Sequence, residues 1–150
     1  DMNGGLAVIG DLYKTEVYGL ARWLDSPAAA EERVRCGLPA EGQLIGHAIR
    51  EKPPSAELRP DQRDSDSLPD YPALDRLLRS LIEEHAGPAQ LIDAGEDPQT
   101  VEQVWRLLKR SEFKRRQAAP VLKLSEQAFG SGWRMPIAAG TGITAAKSPR

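Results

Sequence analysis

Twelve prolines and thirteen glycines fall in clusters along this 150-residue chain, and the clusters cut it into four periodic segments joined by three loops. No internal repeat is visible. Tyr71-Pro72 opens the clearest segment, where Leu74, Leu77, Leu78, Leu81 and Ile82 mark one face of a helix expected over 71–86 and stopped by Gly87-Pro88. Asp97-Pro98 opens a second, expected over 97–112: a capping carboxylate, a proline at the first helical position, then Val101, Val104, Trp105 and Leu108 inward. The two stripes should pack together. Nearer the start, Leu6-Ala7-Val8-Ile9 after Gly4-Gly5 reads as a short buried strand of a parallel sheet. A helix over 15–25 follows, capped by Thr15, with Val17, Leu20, Ala21 and Leu24 in one stripe and Asp25-Ser26-Pro27 at its end.

The remaining stretches are polar or irregular. Residues 27–39, rich in Ala, Glu and Arg and closed by Gly37, read as an inserted short exposed helix. Between Glu51 and Asp70 stand Pro53, Pro54, Pro60 and Pro69 with charges between them and almost nothing apolar, a long loop of the kind that serves as a lid or a linker. Past Pro120, Val121 to Leu124 alternate like a short strand or extended segment, and the chain ends in a tail expected to be disordered.

The length suits one domain. A net charge of −2 leaves no excess of cations for bulk nucleic-acid binding, so any anion binding is local. One cysteine, Cys36, forms no intrachain disulfide, and no run approaches the about 20 apolar residues of a membrane span. A cytoplasmic protein with no membrane partner is expected. The chain opens at Asp1 without Met or a leader, and reads as a piece of something longer.

Three places hold residues able to do more than pack. Lys14 stands where the expected strand gives way to a helix, a position at which helix N-termini favour anions; it meets a phosphate there, or is simply a solvated lysine. Lys52 to Pro60 brings Ser55 between stiffening prolines with Lys52 and Arg59 nearby, either a loop that folds over phosphates or a plain linker. Lys109, Arg110, Lys114, Arg115 and Arg116 crowd the C-terminal end of the helix begun at Asp97, more cations than the helix dipole requires, with Phe113 among them. His47 and His85 lack partners at metal-ligand spacing, and Gly4-Gly5 forms no phosphate-binding glycine loop. The residues alone thus describe a mostly helical piece that leans towards anions.

Several stretches are more specific than that. Gly4 to Ile9, Leu12 to Trp23, Lys-Pro-Pro-Ser-Ala-Glu-Leu-Arg-Pro at 52–60, Ser67 to Tyr71, Phe-Lys-Arg-Arg-Gln-Ala-Ala-Pro at 113–120 and Phe129 to Ile137 resemble the C-terminal part of the synthetase domain of bacterial glutamine-dependent NAD synthetases. The resemblance implies an α/β fold, of which this chain would be the C-terminal, mostly helical portion: a Rossmann-like adenine nucleotide alpha-hydrolase, or ATP-pyrophosphatase, architecture. Residues 1–137 would belong to the ligase domain, with 51–70 its mobile phosphate loop and 138–150 a disordered tail. It implies a ligase that uses ATP and Mg2+ to adenylate deamido-NAD and amidates it with ammonia, supplied from glutamine by a separate N-terminal glutaminase domain. It also implies homo-oligomers of the full-length enzyme.

Residue by residue, the resemblance makes Lys14 and Ser55 ATP contacts, and Lys114, Phe113 and Asp1 contacts of deamido-NAD. The family's pyrophosphate-gripping Ser-Gly-Gly-x-Asp-Ser loop and its magnesium-binding glutamate would lie upstream of Asp1, so this stretch alone is expected to be inactive. Trp133 stands where an Arg is common, the stretch 26–43 is longer than expected, and the helices at 71–86 and 97–112 would expose apolar faces without the central strands. The competing reading is a non-catalytic helical module that self-associates and binds a nucleotide or another anion at Lys14, Ser55 and Lys114.

Overall fold

Glu16 sets the start of the first helix in the computed structural model, which describes residues 4–54, 60–61, 64, 68–130 and 132–138. Its carboxylate accepts the Tyr13 N–H at 2.8 Å, and α1 runs Lys14–Leu24. The Thr15 cap expected from the sequence is therefore corrected: Tyr13 is the capping residue, because a Glu three positions on reaches back to its amide and also suits the positive helix end. Val17, Ala21 and Leu24 of the expected stripe are half-buried, while Leu20 stays 37% exposed.

The chain forms two compact units, one of residues 13–68 and one of 1–12 with 69–150. In the first, α1 is followed by a 3-10 turn at Pro27–Ala29, by α2 (Ala30–Arg35) and by α3 (His47–Arg50). The exit from α2 depends on Gly37, whose φ of +75° lets the Gly37 N–H reach the Val34 carbonyl and the Leu38 N–H reach that of Arg33. The segment is not the exposed appendage its composition suggests. Ala29 is fully buried and the Arg33 side chain turns inward, donating to the carbonyls of Leu24, Glu41 and Gly42 at 3.3, 2.9 and 3.0 Å. A single guanidinium thus ties the end of α1 to the chain beyond α2.

The second unit is built on α4 (Tyr71–Ile82), α5 (Pro88–Asp93), α6 (Pro98–Arg110) and α7 (Glu112–Gln117). Asp97 caps α6 as its spacing predicts, accepting from the Thr100 N–H and hydroxyl at 2.8 and 2.7 Å. Leu74, Leu77 and Leu81 of α4 meet Leu91 of α5 and Val101 and Val104 of α6 in one core. Each such side chain contributes about 1.5–3 kcal/mol when fully buried. The apolar faces expected to lie exposed on these helices are thus partly covered, since α4, α5 and α6 pack together, while Leu78, Ile82, Trp105 and Leu108 stay half-buried. Gly87-Pro88, expected to stop a helix over 71–86, starts one instead: α4 ends at Ile82, and Pro88 opens α5 behind Gly87, whose N–H donates to the Gln90 side chain at 2.6 Å.

The expected strands shrink to a single parallel bridge between Ala7 and Val121, where the Ala7 N–H donates to the Pro120 carbonyl at 2.8 Å. Past Ala7 the chain turns at once, the Gly10 N–H closing on the Ala7 carbonyl. A Cβ on Gly10 would lie 2.8 Å from Val121, so glycine is what permits this turn beneath the bridge. Leu6, Val8 and Ile9 are about half exposed rather than buried, and among the described residues no strand longer than the bridge forms. The expected tail at 138–150 lies outside the described residues apart from Ala138.

Candidate nucleotide-binding residues

Lys14 is the first residue of α1 and is exposed, at the helix end whose dipole favours anions. Tyr18 stands one turn on along the same face. Its hydroxyl pKa is raised by burial first and then by the negative charges of Asp64 and Glu51, both from the proline-rich stretch. The same stretch is drawn together by the Asp64 N–H, which donates to the Pro54 carbonyl at 3.0 Å. Ser55, next to Pro54, lies outside the described residues, as does Asp1. Of the five residues the resemblance singles out, Lys14 thus sits in the unit of residues 13–68, and Phe113 and Lys114 sit in the other.

The far end of the helix that Lys14 begins is held by a carboxylate that periodicity does not reveal. Asp25 ends α1 with its side chain 1% exposed, and accepts the N–H groups of Leu44, Ile45 and Gly46 at 2.7, 3.0 and 2.9 Å. Arg50 lies 3.5 Å away. The Ile45 amide foremost, with those of Gly46 and Leu44 and the Arg50 charge, holds the Asp25 carboxyl below its ordinary range against the opposing effect of burial. This anchors the entry to α3 and, through it, the beginning of the stretch at Glu51.

Asp11 does the same in the other unit. It is 8% exposed and accepts the N–H groups of Leu124 and Ser125 on one oxygen, both at 2.7 Å, and that of Phe129 on the other at 2.6 Å. Burial alone would raise its pKa, but the amides of Ser125, Phe129 and Leu124 together bring it below the ordinary value. The only sequence hint is the Gly10-Asp11 pair after an apolar run, which marks a turn and says nothing of partners more than a hundred residues away.

The cationic run is split by the structure. The helix begun at Pro98 ends at Arg110, and the cations expected at one helix end belong to two helices. Lys109 lies over the Trp105 ring at 5.4 Å. On α7, Glu112 is 2% and Arg115 9% exposed and they pair, while Arg116 donates to the other Glu112 oxygen at 3.4 Å and to the Met135 carbonyl at 3.1 Å. The Arg115 guanidinium stacks on Trp133 at 4.7 Å, so the expected cation with an aromatic neighbour is Arg115 with Trp133 and does not involve Phe113. Phe113 and Lys114 are exposed. Among the described residues no three His, Cys, Asp or Glu side chains gather as a metal site, and no helix is long and apolar enough to cross a membrane.

A sequence model of the NAD synthase family matches residues 1–118. Glutamine-dependent NAD(+) synthetase of a Synechocystis species is 49% identical over 138 residues, which span 92% of this chain and 22% of the relative. That of Thermotoga maritima is 44% identical over 91% of this chain and 22% of its own length. A solved structure, glutamine-dependent NAD+ synthetase from Acinetobacter baumannii in complex with ADP, aligns with 90% of this chain and 21% of its own at 31% identity and a TM-score of 0.49. The chain therefore spans about a fifth of the length of the relatives it matches.

Proposed function

Since this chain belongs to the NAD synthase family, we propose that it is the C-terminal part of the ligase domain of a glutamine-dependent, NAD-forming enzyme. The observation that carries the reading is the 49% identity over 92% of the chain to a glutamine-dependent NAD(+) synthetase. In this reading a nicotinate carboxylate oxygen of deamido-NAD attacks the α-phosphorus of ATP and pyrophosphate leaves. Ammonia then attacks the activated carbonyl carbon, AMP leaves with the bonding electron pair, and a proton is released. The ammonia comes from glutamine, hydrolysed in a separate N-terminal domain. The parent fold is the Rossmann-like ATP-pyrophosphatase fold, and the enzyme works in the cytoplasm as a homo-oligomer.

Each residue has a role that its chemistry supports. Lys14 and Ser55 contact ATP, a point charge and a small hydroxyl suited to phosphate oxygens, and 51–70 is the loop that folds over those phosphates. Lys114, Phe113 and Asp1 contact deamido-NAD, the ring of Phe113 offering a flat apolar face and Lys114 a positive charge to an anionic dinucleotide. Mg2+ assists the family's chemistry by neutralising phosphate charge. Among the described residues no three His, Cys, Asp or Glu side chains gather to hold it.

The test is Lys114→Ala in the full-length enzyme. Loss of one charge-assisted contact of about 1.5–3 kcal/mol lowers kcat/KM for deamido-NAD by roughly 10- to 100-fold. Glutamine hydrolysis should be spared. An equal fall in both activities, or a parent enzyme that forms no NAD from deamido-NAD, ATP and glutamine, would refute the reading.

A further inference from the structure

We infer that Glu112 is a positioning residue for Lys114: it locks the two arginines at 115 and 116 against the segment at 133–135 and so fixes the side of α7 on which Lys114 stands. This rests on the reading of Lys114 as a contact of deamido-NAD and adds the device that aims it.

Helical geometry makes the connection. At about 100° per residue, Glu112, Arg115 and Arg116 fall on one side of the helix and Phe113 and Lys114 on another. The burial pattern agrees, Glu112 and Arg115 being 2% and 9% exposed and Phe113 46%. A helix of six residues is too short to hold its own orientation, so its rotation depends on what anchors it. Its backbone tie to α6 runs through Ser111 alone, whose N–H donates to the Leu107 and Leu108 carbonyls and whose carbonyl accepts the Lys114 and Arg115 N–H groups at 3.0 and 3.3 Å.

The side-chain anchor is Glu112. One of its oxygens takes Arg115, whose guanidinium lies on the Trp133 ring at 4.7 Å, and the other takes Arg116, which goes on to the Met135 carbonyl. One carboxylate therefore connects α7 to residues 133–135 through two arginines. That segment lies beyond the 118 residues matched by the family model. It is braced in turn by the Arg134 side chain, which donates to the Gly130 carbonyl at 2.8 Å.

Stability does not account for a charge at this point. A buried ion pair is often matched or surpassed in stability by apolar residues of the same volume, because two charges must be stripped of water. What an apolar replacement lacks is direction. Leucines in place of Glu112 and Arg115 would leave α7 free to roll, whereas two guanidiniums in fixed geometry on one carboxylate allow one rotation.

The experiment uses the full-length enzyme with deamido-NAD, ATP and glutamine, and compares Glu112→Gln, Trp133→Leu, Lys114→Ala and the double variant Glu112→Gln/Lys114→Ala. Glu112→Gln should raise KM for deamido-NAD by about tenfold while KM for ATP and glutamine hydrolysis hold. Trp133→Leu, which leaves the ion pair in place, should raise it by about threefold. The double variant should be no worse than Lys114→Ala alone, since a residue acting through Lys114 has nothing further to lose. A merely structural role would lower the active fraction and leave KM unchanged. Additive losses in the double variant, or an unmoved KM for deamido-NAD in Glu112→Gln, would overturn the inference. Should Glu112→Gln fail to fold, an unmoved KM in Trp133→Leu would do so. A wild-type enzyme that forms no NAD would instead overturn the functional reading beneath it.

Discussion

Removing the Asp11 carboxylate should loosen the segment 124–129 and cost the chain about 3 kcal/mol. The figure comes from three amide partners at 2.7, 2.7 and 2.6 Å. A hydrogen bond to a charged group is worth about 1.5–3 kcal/mol, but Leu124 and Phe129 are 61% and 39% exposed and water can reach their amides once the carboxylate is gone. With water as a competing partner, each amide contributes about 1 kcal/mol, the value of an ordinary hydrogen bond and below the charged range. Asp11→Asn keeps one acceptor oxygen but turns an amide NH2 towards the donors of the other, and should cost about half as much. The pH dependence has a definite sign. Because the folded carboxyl titrates below its unfolded value of about 3.9, the stabilisation is complete above that pH and is lost as pH falls through the lower folded pKa. The gap between wild type and Asp11→Asn should hold steady from about pH 5 to 8 and close below about pH 4. Urea unfolding followed by circular dichroism measures the gap, and amide hydrogen exchange at Leu124, Ser125 and Phe129 locates it. An Asp11→Ala chain within about 0.5 kcal/mol of wild type, or exchange at those amides unchanged, would refute the reasoning.

Two other substitutions probe the separate units. Leu77→Ala, at a side chain 2% exposed in the core of α4 and α6, should cost about 2–5 kcal/mol by urea unfolding. Arg33→Met leaves the carbonyls of Leu24, Glu41 and Gly42 without their common donor; it should cost about 1–3 kcal/mol and speed proteolysis between residues 36 and 46.

The long helices were legible because each repeats its pattern over several turns: Leu74, Leu77 and Leu81, and Val101 and Val104, define a face before any partner is known. Asp97-Pro98 was legible because capping is local. The short helices α3, α5 and α7 span four to six residues, too few for a period to show. Pro88 misleads for a further reason, since proline ends one helix and begins another with equal ease. Arg33 was hidden because composition counts an arginine as solvated, whereas its value here lies in two terminal guanidinium nitrogens that donate to three carbonyls no ladder satisfies. Lys14, Phe113 and Lys114 stood out by position and charge, and family likeness alone gave each a ligand. Their supports, Asp25 and Glu112, act through partners that periodicity does not register.

Those supports obey one rule. Among the described residues only Ala7 and Val121 pair as in a sheet, so the loops cannot satisfy their amides in ladders. Asp25 and Asp11 satisfy them instead, Asp25 taking three consecutive N–H groups at 44–46 and Asp11 those of 124, 125 and 129, and a carboxylate that takes amides fixes backbone. Glu112 takes guanidiniums, and a carboxylate that takes guanidiniums fixes the direction of side chains. This resolves the cationic run: Arg115 and Arg116 are engaged by Glu112, and Lys109 lies on Trp105. Arg110 and Lys114 are exposed, as is the engaged Arg116, and stand on different helices. A run that reads in sequence as a general anion-binding patch is thereby reduced to one outward lysine on α7, beside one outward aromatic ring.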